Sequence, residues 1–260
     1  MKNSFVLITG GASGLGYELA KLFAADGYSL ILVARNEENL LKAKLELSEK
    51  YQITVETIIA DLINLSAIPD IFSQIKERGI KVDILVNNAG FGLLGDFLEL
   101  DLKKQLEIID LDIGALVYLT HLFLEQAKEG AKILNIASMG AFQPGPGMNV
   151  YYAAKAFVLS FSEALAEELM DKKIVVTALC PGPINTNFWH VSGAGRKKVS
   201  KTTVLARLDP EFVARLGYRG LQKGRRIVIP GVLNKILFVV VRIMPRRLVT
   251  RGVKWLNKKI

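Results

Sequence analysis

Thr9-Gly10-Gly11-Ala12-Ser13-Gly14-Leu15-Gly16 follows directly on the apolar run Phe5-Val6-Leu7-Ile8 and opens a segment of helical spacing. A buried strand that enters a glycine-rich turn and leaves as a helix is the first βα unit of a nucleotide-binding sheet. Small residues let the chain turn sharply and let a pyrophosphate approach the free N–H groups at a helix N-terminus. Gly10, Gly14 and Gly16 are the glycines on which such a cradle depends. Thr9, Ser13 and Leu15 complete its lining. Glycine loops alone also serve ordinary turns, so the strand before and the helix behind carry the reading.

Working outward, further apolar runs occur at Leu30–Val33, Val55–Ile59, Ile84–Val86, Ile133–Ile136 and Ile174–Leu179. They are continuous rather than alternating, as strands are when helices cover both faces of a parallel sheet. Helix-like segments separate them, among them Glu37–Lys50, Leu102–Lys128 and Tyr151–Met170. This alternation predicts a Rossmann-like, doubly wound α/β sheet, mainly parallel, built by right-handed crossovers. No repeat or linker interrupts it, so residues 1–231 read as one domain. The irregular stretch Pro181–Thr203 is rich in Gly, Pro, Asn, Ser and Lys, and its residues 183–203 read as a substrate lid. A last run, Ile227-Val228-Ile229, suits an edge strand.

Charge divides the chain. Residues 1–195 carry 16 Lys/Arg and 23 Asp/Glu, a net −7, whereas residues 196–260 carry 18 and 2, a net +16. Within the second part, residues 232–260 form a basic amphipathic helical tail, with the apolar run Val232–Val241 followed by seven cations. That run is shorter than the ~20 residues that span a bilayer. It suits either an anionic membrane surface or packing on the body or a second subunit. Nucleic acid is disfavoured, because no recognition motif accompanies the charge. One cysteine, Cys180, excludes an intrachain disulfide, and with two histidines it leaves no conventional zinc site. The expectation is a cytoplasmic protein without a bound metal, with peripheral attachment to the inner face of the membrane as the tail's open alternative.

The strand ends supply chemistry. Arg35-Asn36 closes the second strand where an acidic residue would bind a ribose 2′-hydroxyl; an arginine fork suits a 2′-phosphate, pointing to NADP(H) rather than NAD(H). Asp61-Leu62 follows the third strand, where a carboxylate can accept from an adenine amino group. Asn87-Asn88-Ala89-Gly90 follows the fourth, where amides can tie strand ends and Gly90 permits close approach. Tyr151 and Lys155 are four apart and so share a helix face. A free tyrosine has a pKa near ~10, and a neighbouring ammonium favours its phenolate, giving a general acid/base. Ser138, after the fifth strand, can hydrogen-bond a substrate oxygen. Phe91, Phe142, Met148, Phe188 and Trp189 are candidates for an apolar carbonyl or alcohol pocket.

Taken together, Thr-Gly-x-x-x-Gly-x-Gly at 9–16, Asn-Asn-Ala-Gly at 87–90, Ser138, Tyr151-x-x-x-Lys155 and Pro181-Gly182 with Thr186 resemble the short-chain dehydrogenase/reductase family, in its short single-domain branch. The resemblance implies hydride exchange between NADP(H) and a carbonyl or alcohol. It also implies contacts of Lys155 with the nicotinamide ribose and of Pro181, Gly182 and Thr186 with the nicotinamide side. A homodimer or homotetramer through the fourth and fifth helices is implied as well. One departure stands out. The family places an asparagine on the fourth helix as part of a proton relay, and Asp112 takes that position here. An ionised aspartate accepts but cannot donate a hydrogen bond, and it stabilises the Lys155 ammonium against formation of a phenolate. The relay is therefore expected to work in altered form, the alternatives being a protonated aspartate or a weak enzyme. A rival of another class, a sensor or scaffold that binds NADP(H) without turnover, draws on the same substitution.

Overall fold

The computed structural model describes residues 4–186, 188 and 207–257. Its strands are β1 (Phe5–Thr9), β2 (Ser29–Ala34), β3 (Val55–Ile59), β4 (Val82–Asn87), β5 (Lys132–Ile136), β6 (Val175–Leu179) and β7 (Ile227–Val228). They form one parallel sheet in the order β3-β2-β1-β4-β5-β6-β7. Seven helices lie along the body: α1 (Gly14–Ala25), α2 (Glu37–Tyr51), α3 (Ile68–Glu77), α4 (Leu102–Ile109), α5 (Leu116–Gln126), α6 (Asn149–Glu168) and α7 (Pro210–Gln222). Two more, α8 (Val232–Ile243) and α9 (Arg246–Asn257), make up the described tail.

Successive side chains of a strand point to opposite faces, and the core follows that rule. Val6, Ile8, Leu30 and Leu32 enter one apolar layer with Leu19 and Phe23 of α1, Leu40 of α2 and Val213 of α7. Leu7, Ile31 and Val33 enter the other with Ile71 of α3, Leu119 and Phe123 of α5 and Ala166 of α6. Both layers are dry, which accounts for the unbroken apolar runs of the sequence. The expected edge strand forms, and Cys180 is buried beside it.

Two segments depart from the expected helices. The stretch read as one helix over Leu102–Lys128 contains a π-helical segment, Asp110–Ala115, between α4 and α5. A π turn inserts one residue and rotates the following side chains relative to a regular helix; here it carries Asp112 into the interior. The tail is two helices instead of one. Met244 takes an extended conformation (ψ 144°) before Pro245, as the residue ahead of a proline must, and the helix stops there.

The sheet reverses direction between β1, which continues through β2 to β3, and β4, which continues to β7. At that switch the strand ends diverge and open a crevice, the place where ligands bind in open α/β sheets. Its walls are tied by side chains. Asn88 Nδ2 donates to the carbonyls of Thr9 (2.9 Å) and Gly10 (3.2 Å), and the Thr9 hydroxyl accepts from the N–H groups of Asn88 and Ala89, both at 3.0 Å. Deeper in, Asn87 Nδ2 donates to Thr120 and to Asn135, and Asn135 Nδ2 donates to Ser162 on α6. These bonds fix β4 and β5 against α5 and α6.

Candidate active site

The phosphate cradle is legible in what the helix termini do. Asn36, Asp101 and Asp209 cap α2, α4 and α7 with their own side-chain oxygens. Ser13, at the same position on α1, makes no side-chain cap bond; α3, α6 and α8 also lack one, and the glycine turn ahead of it sets α1 apart. The first-turn N–H groups of α1 are thus left to an anion, with the positive end of the helix dipole behind them. Gly10 (φ +63°) and Gly14 (φ +54°) hold the left-handed backbone that shapes the turn. A Cβ on Gly16 would lie 2.3 Å from the Gly10 carbonyl oxygen, so only glycine fits. Thr186 stands over Gly14, with its methyl 3.5 Å from where a Cβ would be. These features fit a dinucleotide pyrophosphate.

The other cofactor candidates divide by how they are engaged. Arg35 and Asp61 face each other across the ends of β2 and β3, 3.9 Å apart and both exposed, and Asp61 Oδ1 accepts from the Ile63 N–H (3.1 Å). The Asn36 side-chain oxygen accepts from the Asn39 N–H as the cap of α2 (2.7 Å). Leu15 and Leu62 bury their side chains in the two core layers, leaving backbone groups to face a ligand. The Ala89 N–H is held by Thr9. The Pro181 carbonyl accepts from the Met139 N–H, fixing the segment after Ser138. Gly182 sits under Asn234 of α8, whose amide would be 2.7 Å from a Cβ there.

At the crevice floor, Lys155 of α6 is buried and its Nζ lies 3.0 Å from Asp112 Oδ2. The same ammonium donates to the Ile136 carbonyl (3.0 Å), and Asp112 Oδ1 accepts from the Phe91 N–H (3.3 Å). Gly90 makes the approach possible, because a Cβ there would be 2.7 Å from Asp112 Oδ1 and 3.2 Å from Lys155 Nζ. Removal from water pushes the Asp112 carboxyl above its usual range, against the pull of the ammonium and the Phe91 N–H. Lys155 Nζ lies 5.7 Å from the centre of the Tyr151 ring. The Tyr151 phenol is held above its ordinary value, first by burial and then by the negative charge of Asp112; a hydrogen bond with Ser138 works in the opposite direction. The acidification expected from Lys155 does not appear: burial and the Asp112 charge outweigh the Ser138 hydrogen bond.

The apolar candidates also separate. Around Gly92, the ring of Phe188, the end of Met148 and the ring of Tyr151 all stand 3.0–3.1 Å from where a Cβ would lie. Tyr151 and Phe188 have ring centres 5.3 Å apart. Phe188 and Met148 thus line one wall beside Tyr151. Phe142 packs elsewhere, edge-on against Phe238 of α8 at 4.7 Å, and Phe91 contributes its N–H to Asp112. Trp189, and the part of the expected lid from 189 to 203, lie outside the described residues. Tyr152, adjacent to the reactive tyrosine, fills a slot against Gly140 and Gly145 and is hydrogen-bonded to Asn257 of α9.

Sequence reasoning missed the Asn135–Ser162 clamp and the docking of the tail through Asn234, Phe238 and Asn257. The first left a trace in the sequence, since Asn135 is a polar residue within an otherwise apolar strand. The second left none, because its partners lie far apart in the chain.

Comparison with known proteins follows this geometry. A family model described as short chain dehydrogenase matches residues 4–197. The chain is 37% identical over 202 residues to sulfoacetaldehyde reductase 2 of Chromohalobacter salexigens, covering 76% of this chain and 79% of that one. It is 28% identical to the NADP-dependent 3-hydroxy acid dehydrogenase of Schizosaccharomyces pombe, over 88% of this chain and 90% of the relative. Among solved structures, a short-chain dehydrogenase from Sphingobium yanoikuyae in complex with NADPH superposes with a TM-score of 0.79 at 27% identity, covering 93% and 96% of the two chains.

Removing one partner of a buried ion pair leaves the other charge stranded. Asp112→Ala is therefore expected to destabilise the fold by about 3 kcal/mol in denaturant unfolding, and Asp112→Asn, which keeps an acceptor for Lys155, by clearly less. Equal stability of wild type and Asp112→Ala would show that the pair does not hold Lys155.

Proposed function

This chain belongs to the short-chain dehydrogenases, and from that membership and the site geometry we propose that it is an NADP(H)-dependent oxidoreductase that interconverts a carbonyl and an alcohol with Tyr151 as general acid/base. The observation that carries the reading is the meeting of Tyr151, Ser138 and Lys155 at the crevice beside the uncapped N-terminus of α1. When bound, the dinucleotide supplies or receives a hydride at the substrate carbon. The α1 N–H groups, with Gly10, Gly14 and Gly16, hold its pyrophosphate, and Thr186 closes over them. Arg35 takes the 2′-phosphate and Asp61 the adenine amino group. Lys155, fixed on one side by Asp112, offers its remaining donor capacity to the nicotinamide ribose.

In reduction Ser138 donates a hydrogen bond to the carbonyl oxygen and Tyr151 gives it the proton that completes the alcohol. A phenol whose pKa is raised is fully protonated at neutral pH, which suits this direction. In oxidation the same oxygen must first lose its proton, so the rate rises with pH toward the raised phenol value. The apolar wall of Phe188, Met148 and Tyr151 supports an apolar carbonyl as substrate. The buried carboxylate also sustains a second reading, in which the protein binds NADP(H) without turning over. We further propose assembly as a homodimer or homotetramer through α4, α5 and α6, where Leu102, Leu106, Ile109, Val117 and Phe157 are exposed. A monomeric mass by light scattering would remove that assignment.

Steady-state NADPH consumption against a carbonyl panel running from sulfoacetaldehyde to bulky apolar ketones tests the activity. Tyr151→Phe is expected to lower kcat by roughly 10²- to 10⁴-fold with NADPH affinity unchanged; a wild type that consumes no carbonyl while binding NADPH would favour the sensor. In alcohol oxidation, Asp112→Asn removes a negative charge facing the phenol. It is expected to move the pH profile toward acid by about one pH unit; an unmoved profile contradicts the role given to Asp112. Arg35→Ala should weaken NADPH binding by roughly 10- to 100-fold, the worth of a charge-assisted hydrogen bond, and leave NADH binding as it is. Parallel losses for both dinucleotides would take Arg35 out of the 2′-phosphate site.

A further inference from the structure

The tail is seated on the body by one edge of each helix. On α8, Asn234 packs over Gly182 and donates to the Pro230 carbonyl (2.7 Å), and one turn later Phe238 meets Phe142. On α9, Val249, Val253 and Asn257 are the buried residues, and Asn257 Nδ2 donates to the Pro146 carbonyl (2.9 Å). These contacts hold the two helices in place beside the segments 138–148 and 181–182 that flank the candidate site.

Among the described residues, nothing covers the opposite edge of α8. No α8 residue is buried, and Leu233, Ile236, Leu237, Val240 and Ile243 are between 39% and 78% exposed. A soluble surface rarely presents so continuous an apolar face without a partner. Around it the charge has one sign, since residues 232–260 hold eight Lys/Arg and no Asp/Glu. Among the described residues, no carboxylate forms an ion pair with Lys235, Arg242, Arg246, Arg247, Arg251 or Lys254. Arg242 lies over the Phe238 ring, 4.6 Å from its centre.

We infer that α8 and α9 dock this protein on an anionic lipid surface, with the apolar edge of α8 in the acyl boundary and the tail's arginines and lysines at the headgroups. Charge and helix length choose this occupant. A second copy in an isologous contact would bring two sets of eight cations together, whereas an anionic bilayer offers apolar depth and negative charge at one boundary. The 12 residues of α8 rise only ~18 Å at 1.5 Å each, less than the ~30 Å of a hydrocarbon core, so the helix lies in the surface plane. Consistent with that, no described helix is long and apolar enough to cross a membrane. The anchoring contacts beside Gly182 and Phe142 set the bilayer next to the crevice that bears Tyr151.

Co-sedimentation of the full chain with vesicles tests this without any turnover, so its outcome is independent of the enzymatic reading. Phosphatidylcholine vesicles are compared with vesicles containing about 30% phosphatidylserine, a content at which polybasic segments bind measurably. The expected result is at least tenfold stronger partition into the anionic vesicles, reduced by added salt. Both the double variant Ile236→Glu/Val240→Glu and the double variant Arg247→Glu/Arg251→Glu should lose at least tenfold in that partition. Circular dichroism and melting of each variant are expected to match the wild type. The second pair alters exposed charge alone and stands as the test if the first fails to fold. Failure of the wild type to bind anionic vesicles would overturn the inference, as would binding that the charge-reversed variant retains. A change of oligomeric mass in Ile236→Glu/Val240→Glu without wild-type vesicle binding would assign the face to a second copy instead.

Discussion

A carboxylate and an ammonium 3.0 Å apart, both withdrawn from water, sit at the centre of this molecule. Burial makes each charge expensive alone and each a condition for the other. The Asp112–Lys155 pair fixes where the lysine amine is held, and the Asp112 charge adds to burial, the larger cause, in keeping the proton on the Tyr151 phenol.

The fold exists in a form that brings this pair together. The sheet reverses between β1 and β4, and the crevice so formed is braced by Asn88 across the strand ends and by the Asn87–Asn135–Ser162 chain beneath it. The π segment between α4 and α5 carries Asp112 inward from a helix whose other face is packed in the core. Gly90 then leaves room for carboxylate and ammonium to meet at the crevice floor. The tail reaches the same neighbourhood from the other side, through Asn234, Phe238 and Asn257, so the surroundings of Ser138 and Tyr152 depend on helices that lie beyond the family's matched region.

Much of this was readable from the residues. The parallel strands showed as unbroken apolar runs because both sheet faces are dry. The glycine turn, Tyr151 and Lys155 showed through spacing, because four residues on a helix share a face and a tight turn needs residues without side chains. Asp112 stood out as a departure from a pattern. The π segment did not show, because the apolar spacing over Leu102–Lys128 reads as one continuous helix and a single inserted residue leaves no gap in it. Phe142 read as pocket lining, for nothing in sequence links it to Phe238, 96 positions on. The break in the tail falls at Pro245, which the reading of the apolar run ahead of it passed over.

The phenol itself offers the most direct test. With 13Cζ-labelled tyrosine, and the Tyr151 signal assigned through Tyr151→Phe, its chemical shift can be followed against pH in wild type and in Asp112→Asn. The account requires the wild-type signal to remain that of a protonated phenol beyond about pH 10, the value of a free tyrosine, and the variant to ionise at lower pH. A wild-type phenolate already present near neutral pH, or the same titration in both proteins, would contradict it.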